Sequence, residues 1–190
     1  AEKMKDDNEA HTEYLSEVYE RMNDLFNFFH CSNKILSIIL SQKISYAKSK
    51  GIKVNVSVED VPMDFIRDFD ITAIFANLWD NAIEACDKVN EDKYITMDIS
   101  RRNNFLLINI ENSFNGVIIK NKDAFTSTKP DHDGVGLKSV KLVVEKYDGV
   151  FMTSYNAVAF RAEITLFLTL LNKNERALIV RSFLLLHCNF

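Results

Sequence analysis

The chain has 190 residues, of which 47% are hydrophobic and 26% charged, and its 27 acidic side chains outnumber 23 basic ones. These proportions are those of a folded globular chain, and they exclude a disordered or collagen-like one. A net charge of −4, with Lys and Arg scattered along the chain, argues against a nucleic acid partner. Cys31, Cys86 and Cys188 have no paired spacing, which argues against a disulfide framework or a zinc site and indicates the cytoplasm.

The first part of the chain is predicted to be helical. Between Glu9 and Lys48 there is neither Gly nor Pro, and apolar residues recur every three or four positions. The polar stretch Cys31–Asn33 interrupts this stripe and offers a cap for a second helix, which is expected to stop near Gly51. From Ile52 to Val58, apolar and polar residues alternate, which predicts a half-buried strand.

The rest of the chain is predicted to hold a long helix, a two-strand hairpin, a second helix and two further strands. These elements are expected at Asp68–Val89, Tyr94–Ser100, Phe105–Glu111, Leu137–Tyr147, Val150–Ser154 and Phe160–Leu170. The polar stretch Asn112–Asp133 is long for a loop in a compact domain, so we expect it to be mobile or functional. This order predicts an α/β fold of the α+β sandwich type, a mixed β-sheet covered on one face by helices.

The predicted long helix carries a polar ladder. Asn77, Asn81 and Glu84 stand at i, i+4 and i+7, so their oxygen-bearing side chains share one face. One interpretation is that they are solvated surface groups. The other is that the Asn carbonyl oxygens, which are hard neutral ligands, hold a Mg²⁺ ion that takes most of its negative charge from nucleotide phosphates.

A phosphate-binding segment is predicted at the end of the polar stretch. Gly134-Val135-Gly136 directly precedes a helix, where Gly allows close backbone approach and the helix N-terminus offers unpaired amides to an anion. Lys129 could add a positive charge there, and Thr128 a hydroxyl. Because a Gly-x-Gly is common at the ends of loops, its weight comes from its place after a polar-faced helix and a hairpin.

Two segments resemble the motifs of a known family. Asn77–Ala85, which reads NLWDNAIEA, resembles the N-box of the GHKL superfamily of gyrase, heat-shock chaperone, histidine kinase and mismatch-repair ATPases. Gly134–Val140, which reads GVGLKSV, resembles its second glycine box. The match is closer to quorum-sensing sensor histidine kinases of the accessory-gene-regulator type, which carry DNAIEA, an STK lid and GxGLKSV. The resemblance spans about residues 33 to 170 and implies the histidine-kinase ATPase fold.

The resemblance implies that ATP and Mg²⁺ are cofactors. Asn81 would coordinate the Mg²⁺, with Asn77 as a second ligand one turn earlier. Hydrolytic members have a Glu at the position of Asn77, and an amide cannot act as that base, so phosphoryl transfer is implied rather than hydrolysis. Asn112 would contact adenine where the first glycine box usually has an Asp. Asn77 and Lys129 are the expected catalytic residues, and the remaining expected nucleotide contacts are Glu84, Thr128, Lys129, Gly134, Val135, Gly136 and Leu137.

The resemblance also implies a role in signalling. The chain would be the catalytic part of a two-component sensor histidine kinase, passing the γ-phosphoryl group to a His on a dimerisation helix and then to a response regulator. His11 and His30 lack the His-acid pattern of such an acceptor, so the acceptor is expected to be absent. We expect a cytoplasmic portion of a membrane-anchored sensor, attached only through upstream segments missing here, since no apolar stretch reaches about 18 residues.

Three regions are expected: residues 1–48, a partial dimerisation arm that forms a homodimer; 49–171, the ATP-binding domain; and 172–190, a tail without assignment.

Two alternative functions stay open. One alternative to the sensor histidine kinase is a non-catalytic truncated module that binds nucleotide, dimerises with intact kinases, or both. The other is a serine kinase of the anti-sigma-factor type. The helical arm argues against the second alternative, because those kinases lack a dimerisation hairpin.

Overall fold

The computed structural model describes residues 31–116, 120–121, 124–125 and 135–168. Its helices are α1 (Lys34–Ser49), α2 (Asp68–Asp87) and α3 (Val135–Lys146). Its strands are β1 (Lys53–Val58), β2 (Tyr94–Arg102), β3 (Phe105–Ser113), β4 (Lys120–Asn121), β5 (Ala124–Phe125), β6 (Val150–Tyr155) and β7 (Ala159–Phe167). The predicted helical arm at residues 9–29 and the tail at 172–190 lie outside the described residues.

Five strands form one mixed sheet in the order β1-β2-β3-β7-β6, and β4 pairs with β5 in a separate two-stranded ladder. β1 runs parallel to β2, and the other neighbours are antiparallel. The parallel pair needs a crossover, which the chain makes through α2. This is the predicted mixed sheet with helices, and the prediction is confirmed.

The core lies between one face of the sheet and the helices. Along β3, Leu106, Ile108 and Ile110 are buried while the residues between them are partly exposed, as the two-residue period of a strand requires. On α2, Phe75 and Trp79 are fully buried, because the apolar face of this helix packs onto the sheet. The opposite, polar face of α2 therefore points away from the sheet, and it carries Asn77 and Asn81.

Helix α1 starts and ends as its sequence predicts. The Asn33 side chain accepts a hydrogen bond from the Leu36 backbone N–H, which satisfies one of the free donors of the first turn. At the other end, Gly51 has a φ of +74°, a conformation that Gly adopts without strain. Leu36 and Leu40 are fully buried, so α1 packs into the same core as the sheet. The proposed domain boundary at residues 48 and 49 stays a prediction.

The structure differs from the sequence prediction in the long polar stretch. Asn112 and Ser113 belong to β3, and the short strands β4 and β5 lie where only a loop was expected. Strands of two residues are too short to show a periodic pattern, so sequence periodicity has no means of finding them. In the described part of the chain, every helix is too short or too polar to span a bilayer.

Candidate functional site

The polar face of α2 presents two half-buried amides. Asn77 donates its Nδ2–H to the Ala73 carbonyl, and Asn81 donates its Nδ2–H to the Asn77 carbonyl, at 2.6 and 2.7 Å. Each side chain is thus held against its own helix by a bond to the residue four positions earlier. Because the Nδ2 groups make these bonds, the amide oxygens remain to serve a partner outside α2. Glu84 lies one turn further along, in an exposed position.

The first turn of α3 packs directly over these two amides. A Cβ atom placed on Gly136 would lie 3.0 Å from Asn81 Nδ2 and 3.2 Å from Asn77 Oδ1. Contacts of this length are tighter than most, so a side chain at this position would require the amides of Asn77 and Asn81 to shift by a few tenths of an ångström. Gly136 therefore lets the N-terminus of α3, where a helix has N–H groups without intrahelical partners, lie close to the amide pair.

Asn112 lies near the end of β3, on the face of the sheet that carries the helices. It continues the alternation of Ile108 and Ile110, is 2% exposed, and donates its Nδ2–H to the Ser113 carbonyl at 2.9 Å. The end of β3 adjoins the C-terminal half of α2, because Ser113 Oγ lies 3.2 Å from Cys86 Sγ. A buried amide at this point is unusual in an otherwise apolar face, since burying a polar group is costly unless it is satisfied.

Comparison with protein families decides what kind of domain this is. A family model described as a GHKL domain matches residues 66–167, more than half of the chain. The chain belongs to the GHKL family. The matched region runs from just before α2 to the end of β7, and it includes the amide pair, Asn112 and Gly136. The comparison with curated proteins found no match.

Solved structures of histidine kinases share the fold of this GHKL domain. The catalytic domain of histidine kinase ThkA matches with a TM-score of 0.55 and 17% identity, over 72% of this chain and 91% of that one. The Acinetobacter baumannii histidine kinase AdeS matches at 0.55 and 14%, over 71% and 64%. The mycobacterial sensor histidine kinase MprB matches at 0.53 and 14%, over 70% and 93%. Identities this low show a common fold alone.

The donor set of the GHKL site suits a magnesium ion bound to a nucleotide. Among the described residues no group of three or more His, Cys, Asp or Glu side chains could hold a metal ion. The amide oxygens of Asn77 and Asn81 are hard, neutral ligands, which fit a Mg²⁺ that keeps waters and phosphate oxygens as its other ligands. The missing Cβ at Gly136 lets the first turn of α3 come close to these amides.

The structure brings together part of the predicted site. It places Gly136 next to the side-chain amides of Asn77 and Asn81. Leu137 is half-buried and packs against the hydrophobic core. The roles of Thr128, Lys129 and Gly134, which lie outside the described residues, stay predictions, as does that of Val135, which opens α3.

Sequence reasoning missed an ion pair between a buried carboxylate and a half-exposed lysine at the far end of the same two helices. Asp70, which is 4% exposed, accepts hydrogen bonds at Oδ2 from Lys146 Nζ and Tyr147 Oη, each at 2.5 Å. The bond from Lys146, followed by that from Tyr147, holds the pKa of the Asp70 carboxyl below its usual value, against the opposing effect of burial. The sequence did contain a signal for Asp70. It stands seven residues, about two helical turns, before Asn77, so it extends the polar face of α2 toward the start of the helix.

A second ion pair lies on the opposite face of the sheet. Arg161 donates to Glu111 Oε2, and Tyr94 Oη donates to Glu111 Oε1 at 3.0 Å. The bond from Arg161 lowers the pKa of the Glu111 carboxyl. Burial, and then the hydrogen bond to Glu111, raises the pKa of the Tyr94 phenol. Because Glu111 is one residue from Asn112 on a strand, the two side chains point to opposite faces of the sheet.

Proposed function

We propose that this GHKL domain is the ATP-binding catalytic module of a sensor histidine kinase. It would bind Mg-ATP and transfer the γ-phosphoryl group to a His supplied by a dimerisation helix. The observation that carries the proposal is the close approach of α3, at Gly136, to the amides of Asn77 and Asn81. This arrangement supports the proposal because two side-chain amides and a helix N-terminus lie side by side, and such groups can bind a cation and an anion together.

The proposed chemistry depends on positioning. Asn81 and Asn77 would hold the Mg²⁺, which supplies charge neutralisation to the triphosphate when bound. The backbone amides at the start of α3 would donate to phosphate oxygens. Phosphoryl transfer requires mainly positioning and charge stabilisation of this kind. Since the Asn77 amide cannot take a proton from water, the site favours transfer to an acceptor over hydrolysis.

Asn112 is the proposed adenine contact. Its Nδ2 donates to the Ser113 carbonyl, and an amide has a carbonyl oxygen that accepts hydrogen bonds in addition. We propose that this oxygen accepts from the adenine amino group. Glu84, Thr128, Lys129 and Gly134 are proposed as further contacts with the nucleotide, on the strength of the motif resemblance.

The biological setting is proposed from the sequence motifs. The DNAIEA and GLKSV segments favour a kinase of the accessory-gene-regulator type, located on the cytoplasmic side of a membrane-anchored sensor. A response regulator would receive the phosphoryl group, and residues 9–29 would contribute to a homodimer. Because His11 and His30 lack the His-acid pattern, the acceptor would come from a helix outside this sequence.

A nucleotide titration tests the site. Isothermal titration calorimetry of the 190-residue chain should show ATP binding that strengthens with Mg²⁺. The substitution Asn81→Ala should weaken it by about tenfold or more, the loss of about 1.4 kcal/mol or more. Asn55→Ala is the matched control, since Asn55 is exposed on the edge strand β1. Equal binding by wild type and Asn81→Ala would refute the proposed magnesium site.

A transfer assay separates the kinase from a non-catalytic module. The chain is mixed with a helical hairpin fragment that carries an acceptor His and with γ-labelled ATP. Label on the fragment, lost when the acceptor His is replaced by Gln, supports the kinase. Tight Mg-ATP binding without transfer supports the truncated module that binds nucleotide only, and labelled serine in a partner would indicate the anti-sigma-factor type.

A further inference from the structure

Helices α2 and α3 are joined by polar contacts at two separate points. At one point Gly136, in the first turn of α3, lies against Asn77 and Asn81. At the other, Lys146 in the last turn of α3 reaches Asp70 in the first turn of α2. The two helices therefore run antiparallel, with the candidate site at one end of α3 and the ion pair at the other.

The second point is tightly connected. Asp70 Oδ2 accepts from both Lys146 Nζ and Tyr147 Oη, and Tyr147 Oη in turn accepts from the Arg67 backbone N–H at 3.1 Å. The Tyr147 ring also packs edge-on against Phe65, with ring centroids 6.4 Å apart. We name Asp70, Lys146 and Tyr147 the helix clamp. It ties the end of α3 to the segment that leads into α2 and to the first turn of α2 itself.

A small movement at the helix clamp has a large effect at the candidate site. The stretch of about ten residues from Gly136 to Lys146 spans about 15 Å, because a helix rises about 1.5 Å per residue. A tilt of about 5° about the clamped end would move the first turn of α3 by about 1.3 Å. The contacts at Gly136 leave no room for a movement of this size, since even an added Cβ atom would come within 3.0 to 3.2 Å of the amides.

The core restrains α3 but does not replace the helix clamp. Val140 and Val144 are fully buried on one side of α3, and they hold the helix against the sheet and α2. Leu137 and Val143 add partly buried contacts with the core. Apolar packing is non-directional, so it restrains the tilt of the helix less than a directional contact does. The hydrogen bonds to Asp70 are directional and resist that tilt.

We propose that the helix clamp is a positioning device for nucleotide binding: it holds the first turn of α3 beside Asn77 and Asn81, so that the N-terminus of α3 and the two amides face the nucleotide together. The inference deepens the proposed function and rests on it for the identity of the ligand. Asp70, Lys146 and Tyr147 are positioning residues, because they act through α3.

Two substitutions in the full chain test the helix clamp. Asp70→Asn keeps an oxygen that accepts from Tyr147 but removes the charge that pairs with Lys146. Tyr147→Phe removes one hydroxyl, keeps the ring against Phe65 and is the milder variant if Asp70→Asn fails to fold. We expect the Kd for Mg-ATP to rise about fivefold to tenfold in each, at the lower end of the usual range for coupling between separate sites. An unchanged Kd in folded variants of both kinds would overturn the proposal.

The control removes an ion pair of the same kind elsewhere. Glu111→Gln breaks the pair with Arg161 on the opposite face of the sheet. If the helix clamp affected binding only by stabilising the fold, any substitution that lowers stability should also weaken Mg-ATP binding. Glu111→Gln would then weaken binding as well. The proposal expects Glu111→Gln to lower stability while leaving the Kd unchanged.

A double-substitution cycle tests whether the helix clamp acts through Gly136. In a Gly136→Ala background the contact between α3 and the amides of Asn77 and Asn81 is already disturbed, so adding Tyr147→Phe should change the Kd by less than about twofold. If Tyr147→Phe weakens binding by the same factor in the wild-type and Gly136→Ala backgrounds, the effect reaches the nucleotide by another route and the proposal is wrong.

Amide hydrogen exchange without nucleotide separates this proposal from the proposed function. Substitutions in the helix clamp should speed exchange at residues 137–140, in the opposite end of α3, with little change in β1. If the wild-type chain does not bind Mg-ATP, the proposed function fails, and the exchange rates still decide whether the helix clamp holds the first turn of α3. Unchanged exchange at residues 137–140 refutes it.

Discussion

Gly136 is the residue at which the candidate site has the least space. It faces two amides rather than a turn, so its importance comes from the missing side chain and not from an unusual backbone conformation. Replacement by Ala has two opposite consequences for stability. Ala favours the helix by up to about 1 kcal/mol over Gly, while the added Cβ pushes against Asn77 and Asn81.

We predict that Gly136→Ala weakens Mg-ATP binding about tenfold or more, equivalent to about 1.4 kcal/mol or more, while the free energy of unfolding changes by less than about 1 kcal/mol. Isothermal titration calorimetry and urea unfolding measure the two quantities. The matched control is Gly51→Ala, where nothing lies within 4 Å of the added Cβ. Unweakened binding by Gly136→Ala would mean that the space beside the amides is not used by the nucleotide.

Gly51→Ala is itself a prediction with the opposite pattern. Gly51 has a φ of +74°, which costs about 1–2 kcal/mol for a residue that has a Cβ atom. We expect a loss of this size in urea unfolding and no change in the Kd for Mg-ATP. A variant as stable as the wild type would show that the end of α1 relaxes easily.

At the scale of elements, the turn that joins α3 to β6 depends on Gly149. A Cβ atom there would meet Leu166 Cδ2, and it would lie 2.8 Å from both the Thr165 carbonyl and Val144 Cγ1. The obstacle is steric, and part of it is backbone, which moves less easily than the end of a side chain. The Gly149 N–H also donates to the Val144 carbonyl at 3.0 Å, which ends the helix.

We predict that Gly149→Ala destabilises the fold by about 1–3 kcal/mol or more, as overpacking of a filled core does. Chemical unfolding followed by circular dichroism measures it. Gly51→Ala and Gly149→Ala separate the two ways in which a Gly is needed, the first for its φ and the second for lack of space. A loss below that of Gly51→Ala would indicate that β7 moves aside at little cost.

The contact between α2 and α3 should respond to acid. The pKa of the folded Asp70 carboxyl is lowered by Lys146 and Tyr147, so its contribution to stability is fully present above the unfolded pKa, near 3.8. It is lost as the pH falls through the lower, folded value, because protonation then removes the charge that pairs with Lys146. We predict that the stability difference between wild type and Asp70→Asn shrinks between about pH 5 and about pH 2.

Urea unfolding of both proteins across this range measures the effect. The Glu111 carboxyl, whose pKa is also lowered, is present in both proteins, so its contribution largely cancels in the comparison. A stability difference that stays constant with pH would mean that the charge of Asp70 contributes nothing to the contact.

For the whole molecule, ligand binding and folding are linked. A ligand at about 100 times its Kd stabilises the folded state by about 2.7 kcal/mol, which raises the Tm of a protein of this size by about 5–10 °C. We predict a shift of this order with Mg-ATP, a smaller one with ATP and EDTA, and at most about half of it for Asn81→Ala at the same Mg-ATP concentration. Differential scanning fluorimetry measures it. A shift in Asn81→Ala equal to that of the wild type would place the nucleotide elsewhere.

Much of the fold could be predicted because each helix or strand can be recognised from the spacing of apolar residues within a short stretch of sequence. The alternation from Ile52 to Val58 and the three-and-four spacing on α2 each depend on a few positions close in the sequence. The hairpin of β2 and β3 has the same property, since it turns at Asn103 with a φ of +55°. The two-residue strands β4 and β5 have too few residues to show any period, so the sequence pattern does not reveal them.

The sequence by itself determined the helices, the strands of the main sheet and the face of α2 that carries Asn77 and Asn81, since all of these follow from local spacing. Only the tertiary structure decided that α3 returns antiparallel along α2, which brings Gly136 to the amides and Lys146 to Asp70, 76 residues earlier. Contacts so distant in sequence arise when the buried faces of separate elements pack into one core, and no stretch of neighbouring residues encodes that packing.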